Sequence, residues 1–141
     1  LAPNDLVFSD QYKSPLIGRQ FSACRNDLSA QQFRGGTIFC DVNSSKLTVV
    51  HQVGLTGTKT VQAKLRFEQE AAAAAGVQVR AYCTNNGVYS SKEFAAKLAS
   101  KGQGIRHSGV GGHHHNGVSE NAIKNTVQTG RTIMIYAALQ W

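Results

Sequence analysis

Two β-rich runs, Thr37-Ile38-Phe39-Cys40-Asp41-Val42 and Leu47-Thr48-Val49-Val50-His51-Gln52-Val53, are separated only by Asn43-Ser44-Ser45 and neighbouring polar residues. Asn and Ser hydrogen-bond their own backbone in turns, so the two runs read as a β-hairpin. The pattern then changes period. From about Thr58 to Ala75 it is helical, with Val61 and Leu65 four apart, an alanine run, and Gly76 where a helix end favours positive φ. Val77, Val79, Ala81 and Cys83 alternate with polar residues or Tyr82 and read as a strand over 77–83. A hairpin followed by helical crossovers leaves few options: the sheet is mixed, with helices on both faces.

The remaining elements fit that frame. Leu6-Val7-Phe8 is a short buried strand ending at Asp10, and Gln11 to Gly35 reads as a long excursion with little periodicity. Ser90-Ser91-Lys92-Glu93 has capping-box spacing, with Ser90 and Glu93 as the reciprocal pair. The helix it opens carries Phe94 and Leu98 and stops at Gly102; Ile105 centres a short strand. A last helix begins near Asn116–Ser119 and runs to the end, interrupted by Gly130. The order is β, hairpin, α, β, α, β, α, and the expected fold class is α/β with a five-stranded mixed sheet.

The 141 residues suit one domain spanning 1–141. Leu1 at the start and Trp141 inside a helical pattern suggest a fragment of a longer polyprotein, with the last helix continuing past the end. No apolar run approaches the ~20 residues that span a bilayer, and no signal peptide is evident, so no membrane is expected. Cys24, Cys40 and Cys83 are odd in number and widely spaced, which suits reduced thiols and an intracellular location, and no Cys-x-x-Cys pair offers a zinc site. The net charge is +7, with +2 in residues 1–70 and +5 in residues 71–141. Such a basic half suits a polyanion, whose counterions are released on binding, although basic domains are also common for solubility alone.

Three blocks carry the chemistry: Leu6-Val7-Phe8-Ser9-Asp10, Cys83-Thr84-Asn85-Asn86-Gly87 and Asn116-Gly117-Val118-Ser119-Glu120. Together with the element order they resemble the integrase catalytic core of Ty1/copia-like retrotransposons, in the retroviral-integrase superfamily with its ribonuclease H-like fold. The third block, behind a Gly/His loop, is the most specific part. The resemblance departs at two places: the family typically has Asp where this chain has Asn85, and His where it has Cys83.

The resemblance implies DNA integration, a polynucleotidyl transfer comprising 3′-end processing and strand transfer of element DNA. It implies Asp10, Asn85 and Glu120 as the catalytic and metal-holding set, with side-chain tips within about 10 Å, around two Mg²⁺ (or Mn²⁺) ions spaced ~4 Å apart. An amide at 85 can still coordinate through its oxygen but removes one negative charge between two dications, so this copy is expected to be impaired. Because Asn85→Asp is nearly isosteric, fold stability is expected to change little. Lys124, one turn after Glu120, and Arg131, two turns further, with Asn116 and His114, would contact double-stranded DNA at element ends and target. His113-His114-His115 reads as a DNA-contacting loop more readily than a metal site, since consecutive residues rarely converge on one ion. A homo-oligomer and the nucleus of a eukaryotic host are further implications. Two other readings are a catalytically inactive nucleic-acid-binding module of the same fold and a ribonuclease H-type nuclease.

Overall fold

The computed structural model describes residues 2–18, 32–108 and 117–139. Its strands are β1 (Leu6–Gly18), β2 (Phe33–Asp41), β3 (Leu47–Gln52), β4 (Ala81–Thr84) and β5 (Gly104–His107). Its helices are α1 (Gly57–Ala75), α2 (Lys92–Ser100) and α3 (Gly117–Leu139), with a short 3₁₀ turn at Val88–Ser90. The sheet order is β3-β2-β1-β4-β5. β3, β2 and β1 pair antiparallel, and β1, β4 and β5 pair parallel. The mixed five-stranded sheet, with the hairpin on one side of β1 and β4 on the other, is the expected one.

Several boundaries differ from the sequence reading. β1 does not end at Asp10 but continues to Gly18, and β2 begins at Phe33, so much of the expected excursion is paired strand. Gly35 and Gly36 hide this in the sequence, because glycine argues against a strand interior. In the fold they are required: a Cβ on Gly35 would lie 2.2 Å from the Tyr12 carbonyl oxygen, and one on Gly36 would lie 2.4 Å from that of Val50. β4 starts at Ala81 instead of Val77. Before it, the Arg80 amide donates to the Asn4 carbonyl, and the Gln103 side chain donates to the Val79 carbonyl at 2.8 Å.

The N-cap of α2 is Ser91, whose hydroxyl accepts from the Phe94 amide, and not Ser90. Ser90 instead donates to the Asn86 carbonyl, and Glu93 accepts from the Thr58 hydroxyl of α1 at 3.0 Å. Thr56 caps α1, and Gly76 ends it with φ 64°, as its position suggested. The buried stripe of α1 is Thr60, Ala63, Lys64, Phe67, Glu68 and Ala71, leaving Val61 and Leu65 at its margin.

That stripe closes the main core. Phe67 stacks on Phe39 with centroids 4.5 Å apart, and Phe94 meets Tyr82 and Tyr89 edge-on. Val7, Val50, Val79 and Leu98 fill the space between. Under the helix, the Glu68 carboxylate accepts from Lys64, Lys101, Gln103 and Tyr82, tying α1, β4 and the start of β5 together. α3 lies on the opposite sheet face, against β1 and β2.

Candidate functional site

β1 and β4 run parallel with Ser9 beside Thr84, so Asp10, within the longer β1, lies beside Asn85, which follows the carboxyl end of β4. Their side chains touch: Asn85 Nδ2 donates to Asp10 Oδ1 at 2.8 Å. The same oxygen accepts the Gln11 amide at 2.8 Å. Asn85 Oδ1 is turned the other way and accepts the Gly87 amide at 3.3 Å. Asx-turn chemistry therefore fixes which end of the amide faces Asp10.

Cross-strand pairing puts Asp10 beside Ile38, and Ile38 beside Val49, on the sheet face that α3 covers. Glu120 stands in the first turn of that helix, anchored by the buried Ser119. Burial pushes the Asp10 carboxyl up, the Gln11 amide opposes this, and the negative charge of Glu120 raises it further. The two carboxylates thus feel each other. Behind the site, Ser9 and the buried Tyr89 exchange a hydroxyl hydrogen bond at 2.9 Å.

His107, which the sequence reading passed over, reaches the site from the end of β5. Its Nδ1 lies 3.2 Å from Thr84 Oγ1 and 3.3 Å from the Asn85 carbonyl. The only signal in the sequence was its place at the end of a short strand. Cys83 is buried, and burial raises its thiol.

Lys124 and Arg131 are exposed on α3. Arg131 and Lys13 rim a groove of about 630 Å³ between α3 and the sheet, floored by Ile38, Val49, Ile123 and Val127. The structure thus brings Asp10 and Asn85 into contact and sets Glu120 and the basic residues along one helix on the Asp10 face of the sheet. His114 and Asn116, with the rest of the triple histidine, lie outside the described residues, as does Cys24.

A two-cation site does not fit this donor set. The Asn85 amide presents N–H to Asp10 and its oxygen to the Gly87 amide, so a neutral donor stands where the resemblance implies a third carboxylate. Among the described residues, no three of His, Cys, Asp and Glu gather into a group able to hold a metal.

No protein-family model and no curated protein matches the sequence. Solved structures do match the fold, retroviral integrases among them. The HTLV-2 integrase catalytic core domain in complex with magnesium (dimeric form) is similar at TM-score 0.54 and 18% identity, over 76% of this chain and 62% of that one. The integrase in the simian T-cell lymphotropic virus intasome with PP2A regulatory subunit B56 gamma gives TM-score 0.65 and 18% identity, over 86% of this chain and 38% of that one. The BIV integrase catalytic core gives 0.60 and 13% identity, over 86% and 65%. The chain therefore spans less than two thirds of these proteins and has the ribonuclease H-like fold of integrase catalytic cores. Among the described residues no helix is long and apolar enough to cross a membrane.

Proposed function

We propose that this chain is the catalytic-core domain of a Ty1/copia-like retrotransposon integrase whose DNA-binding surface is kept and whose turnover is impaired at Asn85. The observation that carries the reading is the juxtaposition of Asp10, within β1, and Asn85, just past the end of the parallel neighbour β4, with Glu120 in the first turn of the helix packed on β1 and β2. In the intact family site, acids at these three positions hold divalent cations that activate the attacking oxygen and stabilise the leaving one. Here the amide denies that donor set, so no step is assigned to it.

What the chain's own residues supply is a surface for double-stranded DNA. Lys124 and Arg131 stand exposed on α3, and by resemblance His114 and Asn116, outside the described residues, would add to the contact. A homo-oligomer working in the nucleus completes the proposal. The inactive nucleic-acid-binding module is the second reading, and the direction of the Asn85 amide favours it.

Two measurements test this. Duplex DNA should bind at low salt, with log affinity falling against log salt by about 0.9 per phosphate contacted. Absent or salt-insensitive binding would remove any nucleic-acid role. With flanking integrase domains supplied, Asn85→Asp should raise strand transfer at least tenfold, about 1.4 kcal/mol of barrier, and Asp10→Asn in the repaired protein should abolish it. DNA binding without rescue would leave the binding module, and cleavage of RNA–DNA hybrids would point to a nuclease.

A further inference from the structure

Carboxylates gathered for a cation repel one another until the cation arrives. In this chain Asp10 meets a neutral donor, the Asn85 amide. The Asn85 amide is held at both ends, Oδ1 by the Gly87 N–H and Nδ2 by Asp10 Oδ1. Turning it over to offer oxygen to a metal would break both bonds and set two oxygens against each other. The backbone carrying it is held as well, since His107 Nδ1 sits against the Asn85 carbonyl and the Thr84 hydroxyl, and the Ser108 amide donates to the Thr84 carbonyl at 2.9 Å.

We propose that Asn85 is a positioning residue that clasps Asp10 in place of a divalent ion, so that the β1–β4 end of the site assembles, and the chain binds DNA, without Mg²⁺. The inference rests on the integrase-core reading for its expectation of a cation here. It explains how a site without the third carboxylate keeps its geometry: the amide donates to Asp10 beside the Gln11 amide, with a neutral group in place of an ion. It also revises the expectation that Asn85→Asp leaves stability unchanged. That substitution exchanges a donor for a negative charge beside Asp10, the third at the site with Glu120, and its cost should depend on metal.

The test is thermal unfolding of the wild-type chain, Asn85→Asp and Asn85→Ala, each in EDTA and in millimolar Mg²⁺. The wild-type midpoint should be the same in both. Asn85→Asp should melt about 5 °C lower in EDTA and regain the difference in Mg²⁺. Asn85→Ala should melt lower than wild type in both, with no rescue, since it removes the donor without adding charge. A wild-type midpoint that rises with Mg²⁺ as much as that of Asn85→Asp overturns the proposal. So does an Asn85→Asp protein indifferent to EDTA. Should Asn85→Asp not fold, paramagnetic resonance of Mn²⁺ added to the wild type decides: the ion should stay free, and saturable binding abolished by Asp10→Asn overturns the clasp. DNA binding of the wild type is measured separately in EDTA. Its failure in both EDTA and Mg²⁺ sinks the integrase reading while leaving the melting comparison intact; binding only with Mg²⁺ sinks the clasp.

Discussion

The two faces of the sheet are built differently. Under α1 and α2, Phe39, Phe67, Tyr82, Tyr89 and Phe94 are each at most 4% exposed and meet ring to ring. Under α3, the sheet contributes Ile38 and Val49, but the helix leaves Val127 40% and Met134 65% exposed around an open groove. Beyond Gly130 its apolar residues turn outward, Tyr136 and Leu139 among them. The fold is specified on the first face, where aromatic packing permits one arrangement. The second face carries Asp10 and receives Glu120, and its loose packing leaves the helix free to present side chains outward. Site and stability are thus separated by one layer of sheet.

The largest effect should come from breaking the first face. Phe39→Ala removes a ring stacked on Phe67 and should cost about 3–5 kcal/mol in denaturant unfolding. Met134→Ala on the second face should stay within about 0.5 kcal/mol. Comparable losses from the two would show that α3 is core and that the contrast is false.

The faces should also answer acid with opposite sign. Burial pushes the Glu68 carboxyl up, but hydrogen bonds from Lys101, Lys64, Gln103 and Tyr82 together outweigh it and hold it down to about 2. A carboxyl held below its unfolded value stabilises the fold above that value and loses the contribution as pH falls. For Glu68 the window runs from about 4.5 down to about 2. Asp10 is raised, so folding penalises its ionised form and acid relieves the penalty. Glu68→Gln should therefore be less stable than wild type at neutral pH, by about 2 kcal/mol, with the gap closing across that window. A gap that stays constant with pH would assign the loss to packing instead of charge.

This contrast also explains what the sequence could show. The hairpin, the helix ending at Gly76 and a strand reaching Cys83 were legible because periodicity and turn chemistry act locally, although that strand begins at Ala81 and not Val77. Asp10, Asn85 and Glu120 could be put forward as a set only through resemblance, since nothing local brings position 10 beside position 85. The length of β1 was not legible. Gly35 and Gly36 look like strand breakers, and only their close approach to Tyr12 and Val50 shows why they belong in a strand. The Glu68 cluster was missed because Lys64 and Glu68, four apart on a helix, have the spacing of an exposed surface pair. Lys64 is buried only because Gln103 and Lys101 arrive from distant sequence to satisfy its partner. Likewise, the direction of the Asn85 amide depends on Gly87 and Asp10 together and could not be read from composition.

The smallest effect is the one that sharpens the comparison most. Lys124→Ala and Arg131→Ala change exposed side chains on α3, so each should leave the unfolding free energy within about 0.5 kcal/mol of wild type. If α3 presents a DNA surface, each should instead reduce the log–log salt slope of duplex binding by about one phosphate contact, and the double variant by about two. The alternative is specific to Arg131, which stands with Lys13 at the rim of the groove. Were its aliphatic stem covering the apolar floor, Arg131→Ala would lower stability and leave the salt slope alone, while Lys124→Ala would still change it. Reading slope and stability on the same two variants therefore separates a nucleic-acid surface along the whole helix from one confined to its first turns. A slope unchanged in both variants would place the polyanion elsewhere on this basic chain and leave α3 as the carrier of Glu120 alone.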